Sequence, residues 1–599
     1  MSTSVSNAIA LDTKPDEKTA GSSAIESYDP TLSNPHSEGS WFQRAKAEIL
    51  FLCTTKEGLI GGYDYVWLLT PDIPPFNWKY KDRVQPFYGI NDRIPLLLTI
   101  LLGMQHSLAM MGGIVTPPII LVGASGVNLD TGTVGYLVST ALILSGIFSA
   151  FQIFRFKIFN TGFWLGTGMM CVVGEAFSVV PIAQAYFAQQ YASGYCDIGQ
   201  DGRRLPCPDA YGRLIGTISV VMCFQIAISL VKPRVLMKMC PNLVVGMVMI
   251  CIGSGLVASG TKSWAGGSGP CMNRPESGFF ELCPNIAAPQ PRLWGSPSFI
   301  GLGFSVYITI LIVELFGAPL IRNCSVACGL LVGAVIAAAT GFIDSAPINK
   351  APSVTFMWTH TFKLGIDGSL VLPLIACCIT TSISCLGDIM ATAEVSGIDV
   401  ETEGNPDLDV RIQGGLTADA LWSVLAGLAT STPTVCFAQN NGVIALSGCA
   451  SRRAGYAACF FLFLAGVCSK FGAAITVLPA SVIGGMTTFL FTSVIVSGIR
   501  ILSTVRWTRR NRFIATAALT LGFSDLIVPN WIIFLIPETE SKALHSFYEG
   551  LGLIISTGYV IVAFVGCSLN AILPDEKTGS AGAGYKKELP LTESPTKAD

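Results

Sequence analysis

The chain has 599 residues, of which 51% are hydrophobic and only 13% charged, with a formal net charge of -2. A soluble globular protein carries about a quarter charged residues, so this composition argues against a soluble fold. The near-neutral charge points to no partner, and neither a basic stripe nor a nucleic-acid motif occurs.

Residues 1–40 are rich in Ser, Asp and Pro and lack an apolar h-region, so they do not read as a signal peptide. Residues 1–55 read as a cytosolic tail, mostly disordered, and 56–92 as a pre-membrane segment. From residue 93 onward apolar runs of about 20 residues recur, the length that crosses a ~30 Å hydrocarbon core. The candidate spans are 93–123 (interrupted), 132–154, 162–190, 211–231, 236–260, 298–319, 324–344, 369–396, 412–430, 434–447, 454–477, 480–502, 512–536 and 548–573. The tenth is too short to cross as a helix, so it needs irregular backbone shielded by protein or a partner segment. Residues 574–599 read as a second disordered cytosolic tail.

Lys and Arg in short loops set the orientation. Arg44, Lys46, Lys56, Lys79, Lys81 and Arg83 precede the first span. Arg155 and Lys157, then Lys232, Arg234 and Lys238, then Arg452 and Arg453, then Arg500 to Arg512 mark the same side. That side is cytosolic, and fourteen spans put both termini there. Cys196 and Cys207 share one polar loop on the other side, and Cys271 and Cys283 share another. If those loops face outside, each pair can form a disulfide. The cysteines inside spans act as small packing residues.

Two spans open alike, Pro241-Asn-Leu-Val-Val-Gly246 and Pro479-Ala-Ser-Val-Ile-Gly484. They are seven spans apart, an odd offset that inverts one half of the chain relative to the other. Inverted repeats with interrupted helices place transporter sites near the bilayer midplane.

Ionisable and strongly polar groups at bilayer depth are costly and need a reason. Gln105 and His106 lie in the first span, where the imidazole either bridges helices or meets substrate. Glu175 and Phe177 flank Ala176 in the third. Phe177 offers a flat stacking face or simple packing, whereas Glu175 has no Lys or Arg in its own span. Ser384 and Asp388 lie in the eighth span and Asp419 in the ninth, as proton carriers, ligands for a ring N–H, or a structural pair. The densest cluster is Gln439, Asn440 and Asn441, followed by Gly442, Ser447 and Gly448. Three adjacent carboxamides suit the imide edges of a planar base or cap a broken helix, with Pro433 and Gly442 reading as the break.

Gln439-Asn440-x-Gly442 followed by Ser447-Gly448 resembles the signature of the nucleobase–ascorbate transporter family, and its surroundings resemble the fungal uric acid–xanthine permeases. Gln105-His106, Gly387-Asp388 and Asp419 occur in matching order. The resemblance runs from about Thr55 to Pro574. It implies an all-α polytopic membrane protein with fourteen spans in a seven-plus-seven inverted repeat, spans 3 and 10 being partly extended. Core segments at 93–231 and 345–477 would move against gate segments at 232–344 and 478–573. The implied activity is proton-coupled, elevator-type uptake of xanthine or uric acid by a plasma-membrane homodimer, with no cofactor beyond the proton gradient and no nucleic acid. Phe177 would stack on the purine, Gln439 would pair with its polar edge, Asn440 would shape the site, and Gln105, His106, Asp388 and Asp419 would form the proton-coupling or structural network.

Departures from the family pattern bear on specificity. Ser384 stands where the family carries an acid, and Glu175-Ala176 replaces an x-Ser pair; Ser447 and Gly448 are milder variants. One expectation is that Glu175 replaces the lost carboxylate, since residues two apart on a strand point the same way. Rival readings are a carrier of uracil, another purine or ascorbate, and a non-transporting nucleobase sensor. No nucleophile–base pair, metal-ligand spacing or phosphate loop suggests an enzyme.

Overall fold

The computed structural model describes residues 50–574, apart from 81–85, 124–125, 159–161, 201, 203, 240, 401–404, 438, 529–530, 532–534 and 536–540. Both expected tails lie outside the described residues except at their inner edges, where 50–54 are helical. Arg44, Lys46, Lys81 and Arg83 lie outside them as well. The chain divides after Thr55, and the unit from Lys56 carries all elements named below.

The principal helices are α1 (Leu96–Val122), α2 (Thr131–Ile153), α3 (Val179–Ala192), α4 (Pro208–Ser229), α5 (Asn242–Trp264), α6 (Pro297–Phe316), α7 (Ser325–Ala339) and α8 (Gly368–Val395). There follow α9 (Pro406–Leu428), α10 (Gln439–Ser447), α11 (Arg452–Val467), α12 (Ser469–Thr476), α13 (Ala480–Ser503), α14 (Arg509–Ile527), α15 (Lys542–Ile555) and α16 (Gly558–Ile572). Four short strands join them: β1 (Phe156–Lys157), β2 (Trp164–Leu165), β3 (Val173–Glu175) and β4 (Thr434–Cys436).

Among the described residues seven helices are long and apolar enough to cross a membrane, and two sharply bent pairs bring the number to nine. Those pairs are α11 with α12, bent by 76°, and Phe547–Ile555 with α16, bent by 86°. The chain is therefore a multi-pass helical membrane protein. The other five expected spans fall short for separable reasons. Helices α3, α7 and α10 are short, at 14, 15 and 9 residues. α9 carries Asp407, Asp409, Arg411 and Asp419, and α14 opens on three arginines. One expectation needs correction. The first span is not interrupted, because α1 runs on through Pro117 and Pro118 and only the Gly113 and Ile114 carbonyls lose their helical donors. The third span is helical from Val179 and extended or irregular before it, as its partly extended reading expected.

Helix starts follow local chemistry. Asp130 caps α2 by accepting from the Thr133 N–H, Asp367 caps α8 through Ser369, and Asn405 caps α9 through Asp407. The helices pack in recurring pairs: α2 with α11 and α4 with α9, α1 with α11 and α4 with α8, α6 with α7 and α14 with α16, α1 with α2 and α8 with α9.

The most extensive contact joins α5 to α13. Gly246 near the start of α5 meets Gly498 and Leu502 near the end of α13, Gly253 meets Phe491 and Ile495, and Trp264 at the end of α5 meets Gly484 near the start of α13. The pair is thus antiparallel, and glycines let the backbones approach. A Cβ on Gly253 would stand 3.0 Å from both the Ile495 nitrogen and the Phe491 carbonyl oxygen. Gly253→Ala is expected to cost about 1–3 kcal/mol through overpacking, read as a lower Tm of the detergent-solubilised protein.

Ion pairs tie one end of the body together. Asp407, ahead of the apolar part of α9, accepts from Arg155 at 2.8 Å and Arg411 at 2.7 Å. Arg411 also donates to the carbonyls of Thr167 and Gly168, and Arg234 pairs with Asp409 at 2.8 Å. Burial alone would raise the Asp407 pKa, but hydrogen bonds from Arg155 and Arg411 outweigh it and hold the carboxyl below its ordinary value. A depressed pKa contributes stability above the unfolded-state pKa, lost as the pH falls through the folded one. Asp407→Asn should therefore cost an exposed pair's worth of stability at neutral pH, about 0.2–1 kcal/mol, read as a lower Tm. The difference from the parent should close in acid.

Candidate functional site

The two extended segments meet. β3 and β4 pair antiparallel, with Val173 opposite Cys436, Gly174 opposite Val435 and Glu175 opposite Thr434. The ladder extends through the Ala176 N–H to the Pro433 carbonyl at 2.8 Å and the Phe437 N–H to the Val172 carbonyl at 3.0 Å. β3 leads into α3 and β4 into α10, so both helices begin beside the ribbon and leave it in opposite directions.

Side-chain alternation divides the ribbon into two faces. On one face Gly174 leaves room for the ring of Phe437, which also fills the space that a Cβ on Gly113 of α1 would take. Phe437 lies parallel to Phe177, with ring centroids 6.1 Å apart and planes inclined by 10°. Phe491 of α13 meets Phe177 edge-on at 5.5 Å. Gln439, half-buried, is the first residue of α10 beyond this aromatic pair. Ala176 is buried between Glu175 and Phe177.

The opposite face carries Val173, Glu175, Thr434 and Cys436, all buried. The Glu175 carboxylate accepts from the Ser431 hydroxyl and neighbours Thr432, and its other oxygen has no partner among the described residues. The expectation that Glu175 and Phe177 project side by side is therefore corrected. The strand ends at Glu175, so alternation does not carry through the turn to Phe177. Ser384, in the place of the family's acid, lies with its hydroxyl 3.7 Å from the Met249 sulfur of α5.

The carboxamides have distinct tasks. Asn440 donates to the Met170 carbonyl ahead of β3 and lies against His106, although no bond of ordinary geometry joins those two side chains. Asn441 accepts from Thr392 at 2.5 Å and donates to the Asp388 carbonyl at 3.4 Å, clamping α10 to α8. Gln105 donates to the Pro319 and Leu320 carbonyls, 3.2 and 2.9 Å away, and so ties α1 to the α6–α7 connection. Asp419 accepts from Gln225 of α4 at 3.2 Å. One donor atom each from Asp419, Cys385 and Cys436 lie within 4.8 Å of one another, all buried. That is the nearest approach to a metal-ligand set among the described residues, and its thiols sit within reach of the carboxylate.

Gly442 does not break a helix as expected. It lies inside α10, and a Cβ there would meet nothing within 4 Å. The turn comes at Gly448, whose φ of +60° suits glycine, just past Ser447 at the helix end. The carbonyl of Gly448 accepts from the Tyr88 N–H at 2.7 Å, and the Ala450 N–H donates to the Tyr88 carbonyl at 2.8 Å. Sequence reasoning missed this pairing of the pre-membrane segment with the loop leaving α10, since an isolated bridge leaves no alternating pattern. It missed Phe437 and Phe491 as well; the one available signal was that Phe437 begins the carboxamide motif. At the far end of the molecule Cys196 is bonded to Cys207 and Cys271 to Cys283.

Aromatic faces, carboxamides and paired half-strands at the meeting point of broken helices, within a multi-pass body, define a membrane permease. The profile of a permease family (Xan_ur_permease, described as "Permease family") matches residues 97–531, and this chain belongs to that family, the nucleobase–ascorbate transporters. The chain is 46% identical to a purine permease of Emericella nidulans over 87% of its length and 89% of the relative's. A uric acid-xanthine permease of the same organism gives the same identity and coverage. The xanthine permease XanQ of Escherichia coli is 30% identical over 73% of this chain and 85% of its own. These relatives are permeases, not enzymes. Among solved structures, the transmembrane domain of a cyanobacterium bicarbonate transporter, BicA, matches at a TM-score of 0.45 and 17% identity, covering 74% of this chain and 99% of that one.

Because Glu175 braces the turn before β4, Glu175→Ala is expected to act on stability. Loss of the buried bond to Ser431 should cost about 1–3 kcal/mol, seen as a lower Tm. The rank order of competing bases should be unchanged.

Proposed function

We propose that this protein takes up xanthine and uric acid across the plasma membrane, driven by the proton gradient. The observation that carries the reading is the parallel Phe177–Phe437 pair at the junction of the two broken segments, with Gln439 opening α10 beside it. A planar base in van der Waals contact with both rings needs them about 7 Å apart, two carbon contacts of ~3.5 Å each. With their centroids 6.1 Å apart the rings present planes no farther apart than that, so the pair would have to open by at least about 1 Å to admit a base. Gln439 then offers the base an amide donor and acceptor in one plane, while Asn440 and Asn441 hold the helix start. The names of the relatives, purine, uric acid-xanthine and xanthine permeases, support this cargo.

For transport we propose an elevator motion of a core (93–231 and 345–477) against a gate (232–344 and 478–573), in fourteen spans arranged as seven plus seven inverted, within a homodimer with both termini cytosolic. Two features support the inversion. The matching openings Pro241 to Gly246 and Pro479 to Gly484 belong to the antiparallel helices α5 and α13 and so lie at opposite ends of their contact. The packed pairs also recur when each segment is advanced by seven spans: α2 with α11 corresponds to α9 with α4, and α6 with α7 to α14 with α16. Asp388, Asp419 and His106 are the buried groups we assign to proton handling and its supporting network.

Uptake of radiolabelled xanthine in a host without its own purine carriers, competed by unlabelled urate, hypoxanthine, uracil and ascorbate, tests the cargo. Xanthine and urate should compete best. Phe177→Ala should raise the KM for xanthine about 10-fold, the value of one base–aromatic stack. Uptake that Phe177→Ala leaves unchanged, or that uracil dominates, would refute the assignment.

A further inference from the structure

A cavity of about 400 Å³ lies apart from the Phe177–Phe437 pair, within the size range of small-ligand sites. Its lining includes Gln184 of α3, Arg204 of the loop closed by Cys196–Cys207, Gly255, Ser259 and Lys262 of α5, and Asn273 of the loop closed by Cys271–Cys283. Both disulfide loops thus converge on one opening. Gln184 comes seven residues after Phe177 and lies in the second turn of α3, whose first residue is Val179. Gly255 is two residues beyond Gly253, which packs on the Phe491 backbone. The cavity therefore lies beyond the aromatic pair, toward the two disulfide-closed loops.

Its lining carries two cations and, among the described residues, no carboxylate. Arg204 donates to the Gly126 carbonyl at 3.3 Å, and its guanidinium lies over the Tyr191 ring at 4.8 Å. Burial, the largest cause, holds the Arg204 pKa below its ordinary value, with Tyr191 opposing. Lys262, on the outermost turn of α5, is exposed to the same space. Polar groups of Gln184, Ser259 and Asn273 add donors and acceptors around the two charges.

We propose that this cavity is an outer staging site for a monoanionic purine, with Lys262 and Arg204 supplying the attraction and Gln184 and Ser259 the hydrogen bonds. The inference rests on the purine-permease reading and adds a basis for discriminating between its two cargoes. Uric acid loses a proton in mildly acidic solution, whereas xanthine stays neutral there. A cationic antechamber raises the local concentration of the anion and leaves the neutral base unaffected.

The test compares urate and xanthine uptake by the full-length protein, Lys262→Gln and Lys262→Arg in the same carrier-free host in mildly acidic medium, where urate is an anion and xanthine is neutral. Lys262→Gln should raise the KM for urate about five- to ten-fold and leave that for xanthine within about two-fold. Lys262→Arg should restore the parent's ratio, and raised ionic strength should shrink the difference between parent and Lys262→Gln. Xanthine uptake reports that each variant is folded and delivered. If Lys262→Gln shifts both bases equally, or neither, the staging site is refuted while the permease reading stands. If the parent accumulates neither base, the permease reading fails and the staging site with it.

Discussion

A polypeptide that leaves the helical path within a membrane must satisfy its backbone N–H and C=O groups without water. In this protein two segments do so at the same place, each supplying the other's partners. Val173–Glu175 and Thr434–Cys436 are too short to be stable as separate strands, yet as a pair they account for one another's exposed amides. The partly extended segments, the two helix starts beside them and the aromatic pair all depend on that mutual pairing. Residues about 260 positions apart in sequence become one element, so neither half of the chain can form the site alone.

Small residues around the ribbon matter as much as polar ones. Phe437 occupies space vacated by the missing side chains of Gly113 and Gly174, and the same device brings α5 and α13 together. The helices packed behind are joined by buried amides, with Gln105 reaching the α6–α7 connection and Gln225 reaching Asp419. Such bonds lock neighbouring helices in register where apolar contact alone would let them slide.

The apolar runs, the carboxamide cluster and the short tenth segment were legible in the sequence because each departs from what lipid tolerates. The two cysteine pairs were legible from their polar loops. What was not legible required knowledge of which way a chain turns. Glu175 was expected beside Phe177 on the strength of a two-residue period, but that period stops where the strand stops. Gly442 was read as a break because glycine often is one, whereas the helix continues past it and turns at Gly448. The first span was read as interrupted, yet α1 is continuous through Pro117 and Pro118, because a helix packed on several sides tolerates two lost hydrogen bonds. The five expected spans that lack length or apolarity show a limit of another kind, since an apolar run does not fix the conformation its residues take.

The backbone bonds between Tyr88 and the Gly448–Ala450 loop act as a tether. A displacement of α10 must either carry residues 86–92 with it or break these bonds together with that from the Arg452 N–H to the Ile90 carbonyl. The stretch preceding the first membrane helix is consequently geared to the helix that opens with the carboxamides. A shift of Tyr88 would thereby be felt at that helix through backbone hydrogen bonds, with no ligand as intermediary.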